Sequence, residues 1–179
     1  MAPPDERKHI AHSGATAAIG LFTGLAADPT ALNELQAISG EPTAKAVRAL
    51  LAVSRGDSAE ARRTLAEPDS SEFGKYMYMV YTRPFVAQAY YLLGDYETTL
   101  RMLEGFQPSA LQTGGFDSRW GMLGRVRLLR GAAYERLGRR AEAREEYRQV
   151  LAQWKAADPA LLPFIQQAQR GLARVGQAG

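Results

Sequence analysis

One piece of punctuation, repeated three times, constrains this chain more than anything else in it. "SRGDSAEARRTL" (54–65), "LLGDYETTLRML" (92–103) and "RLGRRAEAREEY" (136–147) each place a glycine before a polar start and an apolar stripe. Aligned on Gly56, Gly94 and Gly138, the residue five later is Ala61, Thr99 or Ala143, and nine later Leu65, Leu103 or Tyr147. Four before stand Ala52, Tyr90 and Tyr134; seven before stand Ala49, Ala87 and Gly131. The glycines are 38 and 44 residues apart. A glycine that ends a helix enters the left-handed turn without the steric penalty other residues meet. Small residues at fixed distances on either side let two helices approach closely, and the bulky ones fill the remaining space. A two-helix unit of this kind cannot bury its apolar faces alone, so successive units must stack. The expected fold is all-α: antiparallel helix hairpins stacked as a short α-solenoid.

Local signals place the elements. Residues 1–41 read as a leader and a degenerate helix pair, with helices over about 9–26 and from Pro29 to Gly40. Asp28 sits as a cap, and Pro29 at the first helical position loses nothing by lacking an N–H. A helix restarts after Pro42, and Gly56 turns the chain. Asp57 or Ser58 caps the next helix, which ends near Pro68. The repeats are expected over about 42–68, 72–107 and 118–156, and a capping helix over 159–176. Within the second, Tyr76 to Tyr81 alternate like a strand. A lone strand has no partner in a helical chain, so a helix over about 72–93 is expected, kinked or broken at Pro84.

Composition narrows the chemistry. A chain of 179 residues is sized for one domain burying roughly 70% of its unfolded surface. It has no cysteine, which excludes disulfides and thiolate sites. Net charge is +3, but residues 100–179 carry 13 Lys and Arg against 7 Asp and Glu. These arginines alternate with glutamates at helical spacing, as a solvated face does. Nucleic-acid binding through them is the less favoured reading. The apolar run 15–27 behind Arg7 and Lys8 resembles a signal-peptide core. It is diluted by Asp5 and Glu6 and too short to span a bilayer; a cytoplasmic location without membrane attachment is expected.

No catalytic set emerges. His9 and His12 lack further ligands at metal spacing. There is no Gly-x-Ser-x-Gly elbow, no kinase signature and no phosphate-cradling glycine loop. The pair Glu145-Glu146 lies in arginine-rich helical surface, and Trp154 reads as core or cap packing. Arg55-Gly56-Asp57 falls in a tight interhelical turn, so its resemblance to an adhesion word is expected to be incidental. The expectation is a non-enzyme with no cofactor and no metal.

"RGAAYERLGRRAEAREEYRQVL" resembles a tetratricopeptide repeat: a small residue, Tyr134 three later, Gly138 at the turn, Ala143, then Tyr147. "VAQAYYLLGDYETTLRML" resembles a second, with Thr99 in place of alanine, and "RALLAVSRGDSAEARRTL" a third. The tail with Trp154, Asp158 and Pro159 resembles the ending of repeat regions attached to bacterial serine/threonine kinases and related signalling proteins. The resemblance covers about 42–176 and implies a right-handed solenoid whose first helices line a concave groove. Carried onto this chain, the groove would hold Tyr81, Pro84, Gln88, Tyr91 and Leu92, then Arg125, Leu128, Ala132, Glu135 and Arg136. It implies a protein–protein interaction module binding a peptide, protein segment or second copy of itself. The alternative it implies is a regulatory arm of a bacterial signalling enzyme. Tyr91 would anchor the partner, and Arg125 or Arg136 would meet an acidic group. The repeat subclass that clamps a C-terminal carboxylate uses groove asparagines. The one asparagine here, Asn33, lies outside the groove.

Overall fold

The computed structural model describes residues 42–66, 82–104, 106 and 118–177. Among them every regular element is helical. The helices are α1 (Pro42–Ser54), α2 (Ser58–Ala66), α3 (Arg83–Leu92), α4 (Tyr96–Leu103), α5 (Ser118–Arg136), α6 (Arg140–Gln153) and α7 (Leu162–Gly176). A 3-10 turn, Pro159–Leu161, precedes α7. The helices expected before residue 42 and the alternating stretch up to Tyr81 lie outside the described residues. The chain divides into two compact units, Met1–Leu93 and Gly94–Gly179. That boundary falls at a corner glycine, inside the segment read from sequence as the 72–107 repeat.

Among the described residues the three aligned glycines are the ones with left-handed backbone: φ is +86° at Gly56, +80° at Gly94 and +74° at Gly138. Two of the corners close identically. Gly56 N–H donates to Val53 O and Asp57 N–H to Ala52 O, at 3.0 and 2.9 Å. Gly138 N–H donates to Glu135 O and Arg139 N–H to Tyr134 O, at 3.1 and 2.9 Å. This paired closure satisfies the last carbonyls of a helix and needs a left-handed residue at its centre. The aligned position four before the glycine is the one whose carbonyl accepts the longer-range bond. The next helix then begins on an acidic cap where one is available. Asp57 Oδ1 accepts from Glu60 N–H at 2.9 Å, and Asp95 Oδ1 from Thr98 N–H at 3.0 Å. Arg139 occupies the same position before α6 and gives no side-chain cap. Instead its guanidinium lies 4.6 Å over the Tyr134 ring.

In the first unit, α1 packs on α2 and on α3. Ala49 and Leu50 of α1 are buried together with Ala89 of α3, and Val53 and Leu65 pack against them. Ala61 of α2 is fully buried. Arg62 reaches further along the chain: its Nη2 donates to the Leu93 carbonyl at the end of α3, at 3.2 Å.

The second unit is organised by two aromatic side chains, Tyr147 of α6 and Trp154 at its C-terminal cap. Tyr147 and Trp154 are seven residues apart, two helical turns, and so share a face. On α5, Gly131 and Gly124 are also seven apart. The antiparallel pairing sets Tyr147 on Gly131 and Trp154 on Gly124. A Cβ at Gly131 would stand 2.8 Å from Tyr147 Cε1, and one at Gly124 would stand 2.2 Å from Trp154 Cζ2. On the other side α7 brings Gly171, whose Cβ would lie 2.3 Å from Tyr147 Cζ. Tyr147 is thus a ring held between glycines of two helices. Burying a large side chain of this kind stabilises by about 1.5–3 kcal/mol. The same core takes in Leu128, Ala143, Val150, Ala168 and Val175. Phe164 meets Trp154 with ring centroids 6.3 Å apart. Arg144, six residues past its corner glycine as Arg62 is past Gly56, donates from Nη2 to Val175 O at 3.3 Å. Leu93 and Val175 each immediately precede a glycine. Within each unit, an arginine six residues past a corner glycine therefore ties its helix to the end of the next helix by an equivalent bond.

One expectation needs correcting. The last helix does not open as an α-helix at Pro159. Asp158 Oδ1 accepts from Ala160 N–H, and Leu162 N–H returns to Pro159 O. Pro163 has no N–H with which to donate to that carbonyl in α-helical spacing, so the first turn is 3-10. Pro84 lies in the first turn of α3, where a missing donor is harmless; the earlier part of the helix expected over 72–93 lies outside the described residues. Tyr147, the bulky residue nine after Gly138, fills the space between the helices. The residue is buried, and its hydroxyl donates to Glu135 Oε2 at 2.7 Å. Thr99 keeps the fully buried place where alanine is expected because its hydroxyl is satisfied within the helix, donating to Asp95 O at 2.8 Å.

Candidate functional site

The residues that the resemblance places in a groove fall into two groups. Those of α3 begin at Pro84; Tyr81 lies outside the described residues. Gln88, Tyr91 and Leu92 are spaced three and four apart and so share one face of α3. Pro84, a turn earlier on that face, is buried. Gln88 and Tyr91 are partly buried. The Oε1 of Gln88 is enclosed and meets no donor among the described residues. Leu92 is 47% exposed, one of two large apolar side chains standing this far out among the described residues, with Leu162 the other. An isolated exposed leucine is ordinary; here it stands beside Tyr91 on the stripe that the resemblance singled out.

The residues of α5 are placed differently. Leu128 is buried in the core with Tyr147, Trp154 and Ala168. It lines no open surface, because its stripe of α5 faces α6 and α7. Arg125 lies with its guanidinium 4.0 Å over the Phe164 ring of α7. Burial pushes its pKa down to about 10. A cation on an aromatic face is attracted to the ring quadrupole, which partly offsets its lost hydration. Glu135 is a three-helix junction. It accepts from Tyr147 of α6 and from both Nε and Nη2 of Arg174 of α7. The hydrogen bond from Arg174 holds its carboxyl below the usual range. Arg136 is exposed but engaged: its Nε donates to Tyr96 Oη of α4 at 2.9 Å. Arg125, Leu128 and Glu135 are thus joined by contacts that run to α6 and α7, and Ala132 is half-buried on the same helix.

The arginine-rich half carries more interhelical pairing than its sequence spacing suggests. Arg63–Glu60 and Arg139–Glu142 are the expected neighbours along one helix, with exposed partners. Such pairs contribute little. Glu146, read as part of a solvated face, is instead drawn inward. It pairs with Arg130 across α5 and α6 at 2.8 Å, both side chains 16% exposed. Burial raises its pKa despite the adjacent arginine. Arg130 Nη1 also donates to the Phe106 carbonyl at 3.3 Å. Neither the Arg130–Glu146 pair nor the Arg174–Glu135 pair is visible from spacing, since their partners are 16 and 39 residues apart.

The other motifs singled out in the sequence have local structural duties. The carboxylate of Asp57 in Arg55-Gly56-Asp57 is bound to the first turn of α2. Trp154 packs over Gly124, and Asp158 caps the turn before α7. His9 and His12 lie outside the described residues. Among the described residues there is no cluster of three or more His, Cys, Asp or Glu able to hold a metal ion, and no helix long and apolar enough to cross a membrane. Comparison of the chain with protein families, with curated proteins and with solved structures finds no match.

Proposed function

We propose that this protein is a non-catalytic, tetratricopeptide-like interaction module, built of stacked helix pairs, that binds a protein segment along the face of α3 carrying Gln88, Tyr91 and Leu92. The observation that carries the reading is the equivalence of the Gly56 and Gly138 corners. Each has the same paired backbone closure, buried small residues on both sides, and an arginine six residues on that ties the second helix to the next first helix. A chain that repeats its joints in this way is a scaffold whose usable property is its surface. The residues of α5 named from the resemblance are engaged with α4, α6 and α7, so the proposed contact moves to Gln88, Tyr91 and Leu92. Tyr91 supplies a rigid amphipathic anchor and Leu92 the apolar area around it.

The test is affinity capture from the native cell with the intact chain, beside Tyr91→Ala and Leu92→Asp variants of unchanged helicity. Specific protein partners lost together from both variants are the expected result. Capture of the same partners undiminished by either substitution overturns the α3 assignment. Absence of any protein partner above background overturns the module reading itself.

A further inference from the structure

We draw no further inference here: the strongest candidate, the arginine–tyrosine cluster where Tyr96, Tyr134, Arg136 and Arg139 meet beside the start of α6, carries nothing, because its one ligand-like feature is a helix N-terminus without an acidic cap, its guanidinium groups already engage Tyr96, Tyr134 and Glu142, and nothing in the structure shows what covers it.

Discussion

Replacing Gly171 by alanine sets two well-calibrated effects against each other. In a helix interior, glycine to alanine gains about 1 kcal/mol from backbone entropy. Gly171 is in the second half of α7, so that gain is available. Against it, the new methyl would lie 2.3, 2.5 and 2.8 Å from Tyr147 Cζ, Cε2 and Cε1. Carbon atoms prefer about 3.5–4.0 Å, so more than an ångström of separation must be found. The ring cannot supply it. It also lies against Gly131, where a Cβ would already be at 2.8 Å, and its hydroxyl is fixed on Glu135. α7 must therefore move away, weakening the Arg174–Glu135 and Arg144–Val175 contacts. Overpacking of a tight core costs about 1–3 kcal/mol, and the lost bonds add to it. The net expectation is destabilisation of about 1–2 kcal/mol. Both tryptophans, Trp120 and Trp154, belong to the second unit, so tryptophan fluorescence during urea unfolding reads that unit directly. Gly171→Ala should lower the midpoint. Gly176→Ala, where the added methyl meets nothing within 4 Å, should leave it unchanged or slightly raised. In a Tyr147→Leu background the Gly171→Ala penalty should shrink toward zero or reverse. A raised midpoint for Gly171→Ala in the otherwise unchanged chain would refute the packing of Tyr147 between two helices.

Three further outcomes are expected. At Gly56 and Gly138 an added methyl meets open space but inherits a positive φ, so alanine should cost about 1–2 kcal/mol from backbone strain, while asparagine, which tolerates that region, should cost less; equal losses in thermal melts would contradict the corner geometry. Arg130→Met leaves Glu146 half-buried and unpaired, and should cost about 2–4 kcal/mol by urea unfolding, whereas the double change Arg130→Met with Glu146→Leu should recover most of it. Glu135 has a lowered pKa in the folded state, so the stability it contributes is present above its unfolded pKa of about 4.3 and is lost as pH falls through the folded value; the acid-induced drop in the fluorescence-monitored midpoint should be smaller in Glu135→Gln, and an identical pH profile would rule out the junction.

Much of the local architecture could be read from the residues because it depends on local causes. A glycine preceded and followed by small and bulky residues at fixed distances marks a corner, and Gly56, Gly94 and Gly138 all adopt the left-handed backbone that reading demands. Asp57 and Asp95 cap as their chemistry dictates. The placement of side chains between helices was far less legible. Leu128 and Glu135 sit on the α5 stripe that the resemblance assigns to a groove, yet α6 and α7 take that stripe up. Period alone marks a face without saying what lies against it. Gly171 offers no sequence signal of its closeness to Tyr147, because its partner is on another helix. Glu146 looks solvated from its neighbours in the chain, and only the approach of Arg130 across the pair explains its burial. Pro163 held a readable cue to the 3-10 turn, since its missing N–H forbids the α-helical bond to Pro159.

The ring of Tyr147 gives α7 a different standing from that of a detachable lid. One aromatic plane serves as the wall between three rods, so α7 is part of the interior of the α5–α6 pair. Trimming the chain before residue 162 would leave that plane and its hydroxyl facing water, and the remaining pair would be left hollow on one side instead of merely shorter.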